Sequence, residues 1–397
     1  MPLITDKDWL DPILPEELPA SIIERADTLP GKAAFLAGRL ARQTSEQLGQ
    51  LLQITNSYYS NLIEGRYTEI AMMQQAQTAP RRERLLLQDL AIRHMQAQEV
   101  FERALRRFPP AQWSALFEPA LVQRVHRRLF DATEDASRRL DDGRLLRPGQ
   151  LRARPDEEVS VGGRPAPAAA VVLPMLRHLR YGFGRIHDPR RRLIGALAYH
   201  HRLAFVHPFL DGNGRTTRLM THLHLVALGL RPTFWSLSRG LARQHQDYYR
   251  MLALADRPRE GDLDGRGKLS RKHYFAFIEF MLDVCHDQID YMTQAVDPAA
   301  LRERVVRAFR YNAQLRAAGT REESAAAMHA LLVQGEMPRS DFKTFTGLTP
   351  RPAIDELSRL IRLGVVLSPT PKSRSVQPGL PAWFAQEIFP DLHRRFQ

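Results

Sequence analysis

The chain has 397 residues, enough for two or three domains of ordinary size. Apolar residues make up 44% and charged residues 25%, which excludes a mostly disordered or fibrous protein. The longest apolar run, residues 166–176, is eleven residues long and contains two prolines, too short to span a bilayer. The N-terminus is unlike a secretory signal, and the single cysteine, Cys285, leaves no internal disulfide, so we expect a cytoplasmic protein without a membrane span.

The formal net charge is +13, and the excess of basic residues is concentrated in one part of the chain. Residues 177–218 hold nine arginines and two acidic residues, whereas residues 320–397 hold ten basic and eight acidic residues. A strongly basic protein often binds a polyanion, nucleic acid included. Because the charge surrounds one short segment in mid-chain, it indicates a small polyanion as much as a DNA duplex.

Helical periodicity dominates the chain up to about residue 296. The predicted helices lie in several segments of residues 21–107, one of them from Arg82 to Leu105, and then at 117–129, 169–181, 190–205, 215–228, 241–255 and 272–292. Residues 141–167 are punctuated by glycine and proline, and the alternation at 158–161 before Gly162 and Gly163 predicts a β-hairpin. The predicted fold class is therefore all-α with one small β element.

The pattern changes after residue 298. It predicts helices at 324–334, 340–347 and 350–363, followed by a hairpin of residues 365–368 and 373–377. This order resembles a winged helix-turn-helix, whose helix 350–363 would read DNA. A protein-contact or dimerisation role stays open beside it, because phosphate binding needs more positive charge than residues 320–397 carry. The predicted domains are an N-terminal helical region (1–113), a core (114–296) and this module (301–397).

Twelve consecutive residues, 207–218, combine several groups that handle phosphate. Gly212 and Gly214 flank Asn213 just before a helix predicted to begin at Arg215. Because glycines lack Cβ atoms, backbone N–H groups in such a loop can approach an anion closely. The N-terminus of the following helix adds partial positive charge at the same place. The loop is therefore a candidate anion cradle.

The remaining polar residues of this segment extend the same chemistry. Arg215 and Arg218 are three positions apart, so both guanidinium groups can bind further phosphates from one helix face. Asp211 offers a carboxylate for Mg²⁺ bridging two phosphate oxygens. His207, just before Pro208, is the one base of the loop suited to neutral pH, able to deprotonate a hydroxyl. Together these groups predict a phosphoryl- or nucleotidyl-transfer site.

Segment 207–218 matches the Fic family signature, H-x-F-x-[D/E]-G-N-G-R-x-x-R, at every defined position, and the resemblance extends over roughly residues 122–282. The resemblance implies the all-α Fic fold with a flap at 159–164 and a C-terminal winged-helix module beside the core. It also implies a protein adenylyltransferase that moves AMP from ATP, with Mg²⁺ as cofactor, to a Ser, Thr or Tyr hydroxyl of a target protein. The protein itself is one candidate target, and a homodimer is one arrangement that the family adopts.

Carried over residue by residue, the resemblance makes His207 the general base and Asp211 the Mg²⁺ ligand. It places the Tyr248–Tyr249 pair against adenine, with Asp256 as a polar contact nearby. The nucleotide-binding residues that it implies are Val161, Gly162, Gly163, Arg164, Asp211, Gly212, Asn213, Gly214, Arg215, Thr216, Thr217, Arg218, Tyr248, Tyr249 and Asp256.

Residues 60–65 resemble the family's inhibitory helix motif, [S/T]-x-x-x-E-[G/N], within a helix of about residues 55–68. Ser60 and Glu64 are four apart and share a helix face. Glu64 paired with Arg218 would compete with the γ-phosphate for one guanidinium, which predicts autoinhibition. Two alternatives stay open: Glu64 aligns a water that removes AMP from a modified target, or the protein is a DNA-binding regulator whose Fic loop senses nucleotide.

Four further histidines, His200, His201, His222 and His224, lie on the helices around this segment. A zinc site needs a third ligand at a suitable spacing, and the sequence offers none beside these pairs. Packing or surface roles are therefore the favoured interpretation of these histidines.

Overall fold

A computed structural model describes residues 4–66, 68–78, 80, 84–107, 112–131, 138–140, 142–370 and 373–394, without the side chains of residues 74, 75 and 78. Helices account for most of these residues, and the strands form two small antiparallel sheets. The predicted all-α fold class with small β elements is confirmed. Among the described residues, no helix combines the length and the apolar character needed to cross a membrane.

The helices pack around one hydrophobic core. They are α1 (Ala20–Gly38), α2 (Arg42–Ile63), α3 (Ile70–Thr78), α4 (Leu86–Arg107), α5 (Pro119–Phe130), α6 (Val172–Gly184), α7 (Pro189–Val206), α8 (Asn213–Ala227), α9 (Leu237–Arg243), α10 (His245–Ala255), α11 (Arg271–Ala295), α12 (Pro298–Tyr311), α13 (Ala313–Ala317), α14 (Ser324–Gln334), α15 (Arg339–Phe345), α16 (Pro350–Arg362) and α17 (Ala382–Ile388). The strands are β1 (Ser160–Val161), β2 (Arg164–Pro165), β3 (Met337–Pro338), β4 (Val366–Leu367) and β5 (Ser375–Pro378).

Helices α7 and α8 form the centre of the core and carry the 207–218 segment between them. Helix α7 begins where the Asp188 side chain accepts a hydrogen bond from the Arg191 amide (2.8 Å), with Pro189 in its first turn. Almost every side chain of α7 and α8 is buried, and α7 packs against α6, α8 and α11. The segment is thus held between two largely buried helices.

A hairpin of two short strands, each of two residues, forms the predicted flap. Strand β1 pairs antiparallel with β2, with Val161 opposite Arg164. The turn residues Gly162 and Gly163 have φ values of 55° and 82°. Two successive positive φ values are what a tight hairpin turn of this hand requires, and glycine adopts them without strain. The hairpin predicted from the glycine pair is confirmed.

The C-terminal module has the predicted order of helix, short helix, longer helix and hairpin. Its helices are α14, α15 and α16, and its three strands pair antiparallel in the order β3-β5-β4. The module packs against α2, where the Thr44 hydroxyl donates to the carbonyl of Leu332 at 2.7 Å. Binding of DNA or of a protein by this module stays a prediction.

Two predicted helices differ in detail from the structure. The helix predicted to begin at Arg215 begins at Asn213, because Gly212 (φ 78°) is the left-handed residue that turns the chain into it. The stretch 241–255 forms two helices, α9 and α10, because the backbone at Gln244 (φ −110°, ψ 39°) leaves the helical region. Gly214 therefore lies inside the first turn of α8, where its amide belongs to the helix N-terminus.

Other boundaries depend on tertiary packing. The helix predicted from Arg82 has its predicted start outside the described residues and runs from Leu86 to Arg107. Helices α12 and α17 had not been predicted, and they pack against each other. The predicted boundary at residue 301 falls within α12, and the division into domains stays a prediction.

Candidate active site

The loop between α7 and α8 is bounded by two residues in the left-handed conformation. His207 ends α7 with φ 49° and ψ 62°, and Gly212 precedes α8 with φ 78° and ψ 8°. A left-handed conformation costs energy at a residue with a Cβ atom, so the surrounding contacts have to hold His207 in place. A Cβ atom at Gly212 would also collide with the Phe130 ring. The sequence thus fixes a sharp loop that presents the His207 side chain.

Asn213 closes this loop from within. Its side-chain oxygen accepts a hydrogen bond from the Phe209 amide (2.9 Å), and its side-chain nitrogen donates to the Phe209 carbonyl (2.8 Å). Both polar atoms of the buried amide are therefore used by the loop itself. For the predicted contact of Asn213 with the α-phosphate, the group that remains is its backbone amide at the N-terminus of α8.

Arg218 is buried one turn into α8, and the C-terminal end of α2 accepts hydrogen bonds from its guanidinium. Its Nε donates to the Ser60 hydroxyl (3.0 Å), and its Nη2 donates to the Ser60 carbonyl (2.8 Å) and to Glu64 Oε1 (2.6 Å). Glu64 is 154 residues away in the chain and lies at the C-terminal end of α2. The predicted pairing of Glu64 with Arg218 is present in the structure.

The Glu64 carboxylate also lies against Gly214, in the segment predicted to bind phosphate. A Cβ atom placed on Gly214 would overlap Glu64 Oε1, so only glycine permits this approach. Burial by itself raises the pKa of the Glu64 carboxyl, but the charges of Arg218 and Arg215 outweigh burial and hold the pKa below its usual value. The carboxylate is therefore an anion bound where the sequence predicts phosphate.

Arg215 and Asp211 form a second ion pair at the mouth of the loop. Arg215 Nη2 lies 3.3 Å from Asp211 Oδ2, and the buried guanidinium stacks 4.6 Å from the centre of the Phe130 ring. Burial lowers the pKa of Arg215, but a guanidinium keeps its charge at any physiological pH. In this conformation each of the two predicted phosphate-binding arginines has a carboxylate partner.

His207 is half-buried and faces an open cavity of about 540 Å³. Burial, followed by the charges of Arg152 and Arg164, lowers the pKa of His207 to about 4. Its imidazole is therefore neutral at pH 7 and has a lone pair for a proton. Ser160 and Pro165 of the flap, with Asp211 and Arg66, line the same cavity. This arrangement gives a side chain from another molecule room to reach the imidazole.

The flap is tied to the core through its own arginine. Arg164 donates from Nε (2.8 Å) and Nη2 (2.6 Å) to Asp256 Oδ2, while His201 Nε2 lies 3.0 Å from Asp256 Oδ1. The Arg164 guanidinium also lies 4.7 Å from the centre of the Phe205 ring. Arg164 and Asp256, both predicted to bind nucleotide, are thus partners of each other, and their nucleotide contacts stay predictions.

The two predicted adenine contacts differ in exposure. Tyr248 is 2% exposed, and its hydroxyl lies 2.8 Å from His200 Nε2 in the core. Tyr249 is 43% exposed, and its hydroxyl donates to the carbonyl of Ile63 at the end of α2 (3.4 Å). Of the pair, Tyr249 has the exposed ring and Tyr248 is buried beside it, and the adenine contacts stay predictions.

Thr216 and Thr217 complete the predicted nucleotide-binding segment. Both side chains are 1% exposed in the first two turns of α8. Their hydroxyls find no hydrogen-bond partner in the described part of the chain. The Thr216 amide donates to the Gly212 carbonyl (3.0 Å). A nucleotide contact by Thr216 or Thr217 stays a prediction.

The four histidines weighed against a zinc site have other contacts. His200 bonds to Thr221 Oγ1 (2.8 Å) as well as to Tyr248, and His222 Nε2 pairs with the buried Glu102 carboxylate (2.6 Å). His224 Nε2 donates to the Leu116 carbonyl (3.1 Å). These imidazoles serve as polar links within the core.

Sequence reasoning missed two residues that position the loop, because each acts through distant backbone atoms. His126 accepts from the Gly149 amide at Nδ1 (2.8 Å), which leaves Nε2–H to donate to the Asp211 carbonyl (3.0 Å). Its ring also stacks on Phe209 with 3.7 Å between centres. Arg152 donates from Nε to the His207 carbonyl (2.8 Å). Neither residue belongs to a local motif that could have revealed it.

Comparison with known proteins agrees with this geometry. Residues 116–225 match the model of the Fic/DOC family, a range that contains α5, the flap, α7 and the signature loop. This part of the chain is therefore similar to Fic/DOC domains.

Relatives of known name match part of this chain. The Protein adenylyltransferase Fic of Drosophila persimilis is 29% identical over 145 residues, which are 36% of this chain and 26% of that protein. The protein of the same name from Drosophila melanogaster is 28% identical over 145 residues, or 36% of this chain and 27% of its own length. The chain thus matches about a quarter of the length of these relatives.

Solved structures of Fic proteins are also similar. A Fic domain-containing signaling protein from Bacteroides thetaiotaomicron is 14% identical with a TM-score of 0.49, covering 68% of this chain and 97% of that one. A Fic family protein from Desulfovibrio desulfuricans is 18% identical with a TM-score of 0.46, covering 92% of this chain and 97% of that one.

A buried histidine beside the arginines gives a testable pH dependence. Burial, followed by the charges of Arg218 and Arg215, lowers the pKa of His94 to about 3. Neither ring nitrogen has a hydrogen-bond partner among the described residues. The unfolded chain then binds a proton at this histidine below pH 6.5 that the folded protein does not, so stability falls as the pH drops from 6.5 toward 3.

Between pH 7 and pH 5, the neutral His94 is expected to lower the unfolding free energy of wild type by about 2 kcal/mol, at 1.36 kcal/mol per pH unit. His94→Phe is expected to lack this part of the pH dependence. Urea unfolding at the two pH values measures it, with His187→Gln, at an exposed position, as the control for loss of one imidazole. An equal pH dependence in His94→Phe and wild type would contradict a neutral, buried His94.

Proposed function

We propose that this protein is an ATP- and Mg²⁺-dependent protein adenylyltransferase that Glu64 inhibits. The observation that carries the proposal is the bond between Glu64 and Arg218 over Gly214, at the position predicted for the terminal phosphates. A carboxylate held at a glycine loop, a helix N-terminus and a buried arginine indicates a site built to bind a larger anion. The names of the Drosophila relatives support AMP as the transferred group.

In the proposed reaction, His207 accepts the proton of a target hydroxyl. The hydroxyl oxygen then attacks the α-phosphorus of ATP and forms a new P–O bond. The bond from the α-phosphorus to its bridging oxygen breaks, and its electron pair leaves on pyrophosphate. The pKa of His207, lowered to about 4, keeps the imidazole unprotonated and ready to accept this proton at neutral pH.

The charge that develops on phosphate oxygens would be stabilised by fixed positive groups. The N-terminus of α8 and the guanidinium groups of Arg215 and Arg218 are already oriented by the core, so little rearrangement opposes the reaction. The target chain would lie in the cavity between the flap and His207. Any accessible Ser, Thr or Tyr of a second protein, or of this one, is a candidate acceptor.

Asp211 fits the role of Mg²⁺ ligand. Its carboxylate lies at the mouth of the loop, lines the cavity beside His207 and is partly exposed, with one ion pair to Arg215. Mg²⁺ usually takes one or two carboxylates and fills its other positions with phosphate oxygens and water. Bound there, the ion would neutralise phosphate charge, while Arg215 stays free to leave Asp211 for a phosphate.

Inhibition follows from competition for one guanidinium. Arg218 is buried, so its charge needs an anionic partner at all times. While Glu64 is that partner, the γ-phosphate has no access to Arg218, and the α-phosphate cannot take the position in line with the target hydroxyl. The Glu64 carboxylate is also close enough to the loop to act in the removal of AMP from a modified target. The experiment below has de-adenylylation as a separate outcome.

We predict that Glu64→Gly raises incorporation of AMP into the protein itself on the order of 10- to 100-fold. Freeing Arg218 restores a charge-assisted hydrogen bond to phosphate worth about 1.5–3 kcal/mol. Intact-mass spectrometry after incubation with ATP and Mg²⁺ measures the gain of one AMP, and His207→Ala added to Glu64→Gly is expected to abolish it.

Glu69→Gly is the matched control, because it removes an exposed carboxylate five residues further along without touching Arg218. It is expected to behave as wild type. If Glu64→Gly binds ATP and gains no AMP, the inhibitory role is wrong, and a gain of phosphate alone would replace adenylylation with phosphorylation. Release of AMP from a modified target by wild type, but not by Glu64→Ala, would favour the hydrolase.

A further inference from the structure

Arg152 lies outside the Fic signature and binds the backbone on both sides of His207. The guanidinium is fully buried and donates from Nε to the His207 carbonyl (2.8 Å) and from Nη2 to the Val206 carbonyl (3.3 Å). The backbone amide of Arg152 donates to the carbonyl of Pro208 (2.9 Å). One residue thus binds three successive carbonyl groups at the turn that ends α7.

These carbonyls need such a partner. The last carbonyl groups of a helix have no bond within the helix, and a cation at this end also complements the helix dipole. Here the chain leaves α7 through His207 in a left-handed conformation, which a residue with a Cβ atom adopts only when neighbouring contacts hold it. Arg152 supplies those contacts.

The same guanidinium reaches the base of the flap. Its Nη2 also donates to the Pro167 carbonyl (3.0 Å), and its Nη1 donates to the Glu157 carbonyl (3.4 Å) and lies 3.6 Å from Glu158 Oε2. Glu157 and Pro167 lie just before and just after the hairpin of β1 and β2. The flap and the catalytic loop are therefore joined through a single planar group.

We propose that Arg152 is a positioning residue that sets the His207 imidazole and the flap relative to each other for AMP transfer. This role rests on the proposed function. Arg152 contacts the backbone carbonyl of His207 rather than its ring, so it acts on the reaction through geometry. Lysine carries the same charge but only one nitrogen, which cannot serve the loop and both ends of the flap together.

The test uses the full chain with Glu64→Gly as the active background. We expect Arg152→Gln to lower kcat about 100-fold, the usual cost of misplacing a reacting group by about 1 Å. The KM for ATP is expected to change less than about threefold, because Arg152 touches none of the predicted phosphate contacts. Arg152→Lys is expected to recover about tenfold of the lost kcat, by restoring one of the donors.

Arg154→Gln is the matched control, since it removes the same charge from a half-exposed arginine two residues further along the chain. A kcat for Arg152→Gln within threefold of this control would overturn the role. If thermal unfolding shows that Arg152→Gln does not fold, Arg152→Lys decides: a tenfold lower kcat at constant KM supports it, and an unchanged kcat overturns it. Absence of transfer by Glu64→Gly alone would instead contradict the proposed function, and this role with it.

A second, independent observation concerns residues 389–394, here called the C-terminal segment. It contacts α2 at Thr55 and Tyr59, the latter directly before Ser60. The Tyr59 hydroxyl donates to the Arg394 carbonyl (2.7 Å) and lies 3.1 Å from the Leu392 carbonyl, and His393 Nε2 lies 3.0 Å from Thr55 Oγ1. Because the Thr55 hydroxyl already donates to Leu51, it accepts from His393.

The C-terminal segment is anchored to the core on its other side. Arg239 of α9 donates to the Asp391 carbonyl from Nη2 (2.9 Å) and Nε (3.3 Å). Tyr291 of α11 donates to the Pro390 carbonyl (2.7 Å), and Leu392 is buried. The segment therefore links the face of α2 next to the inhibitory residues with two core helices.

We infer that the C-terminal segment is a latch that holds α2 in the inhibitory position. This inference rests on inhibition by Glu64. Where Glu64 leaves Arg218 together with the last turns of α2, that motion strains the bonds at Thr55 and Tyr59. Release of the segment would then favour the open, active position of α2 by population shift.

Two full-chain variants weaken the latch from opposite sides: the double variant Thr55→Val with Tyr59→Phe on α2, and Tyr291→Phe on the core. Both are expected to raise hydrogen–deuterium exchange in residues 55–64. Because each loses one or two hydrogen bonds, both are also expected to raise AMP incorporation about three- to tenfold. In the Glu64→Gly background neither is expected to raise it further. Tyr311→Phe, at an exposed tyrosine, is the control.

Unchanged exchange in residues 55–64 for both variants would overturn the latch. So would an equal rise in AMP incorporation with and without Glu64, because the effect would then bypass the inhibitory contact. If the double variant does not fold, Tyr291→Phe decides alone. No gain of AMP by Glu64→Gly would contradict inhibition itself, and that result is separate from the exchange measured in wild type.

Discussion

The buried charge of Arg218 is the constraint on which the candidate site depends. A guanidinium enclosed by protein needs an anion, and the cost of leaving it alone is several kcal/mol. In this structure the anion is Glu64, supported by Ser60 on the same helix face. A bound triphosphate would offer a substitute of greater charge. In the proposed mechanism, Glu64 and the γ-phosphate are therefore alternative partners of one buried cation, so that ATP binds productively only when Glu64 leaves Arg218.

The rest of the site is arranged so that this exchange can occur without rebuilding the loop. Asn213 closes the loop from inside, and His126 and Arg152 bind its carbonyls from outside. Glu64 comes from another element, at the end of α2, and its carboxylate pairs with Arg218 through its side chain. The loop thus belongs to α7 and α8, and the carboxylate that pairs with Arg218 comes from the end of α2.

The local features of the site could be predicted from the sequence because they depend on neighbouring residues. Gly162 and Gly163 specify a tight turn by themselves, and the glycines around Asn213 specify a loop at a helix N-terminus. The Glu64–Arg218 pair could also be predicted, but only from the family's motif, since the two residues are 154 positions apart. Arg152, His126 and the contacts of residues 389–394 had no such signal, because their partners are backbone carbonyls and amides brought close by the fold. The burial of Tyr248 against His200 likewise had no sequence signal, and its predicted adenine contact stays a prediction.

The most direct test of competition at Arg218 is calorimetric binding of ATP and of AMP to wild type and Glu64→Gly, each blocked in catalysis by His207→Ala. AMP lacks the β- and γ-phosphates, so its affinity is expected to stay within about twofold, while ATP is expected to bind about tenfold more tightly once the guanidinium is free, a charge-assisted bond of about 1.5 kcal/mol. Equal changes for the two nucleotides, or no change for ATP, would contradict the account.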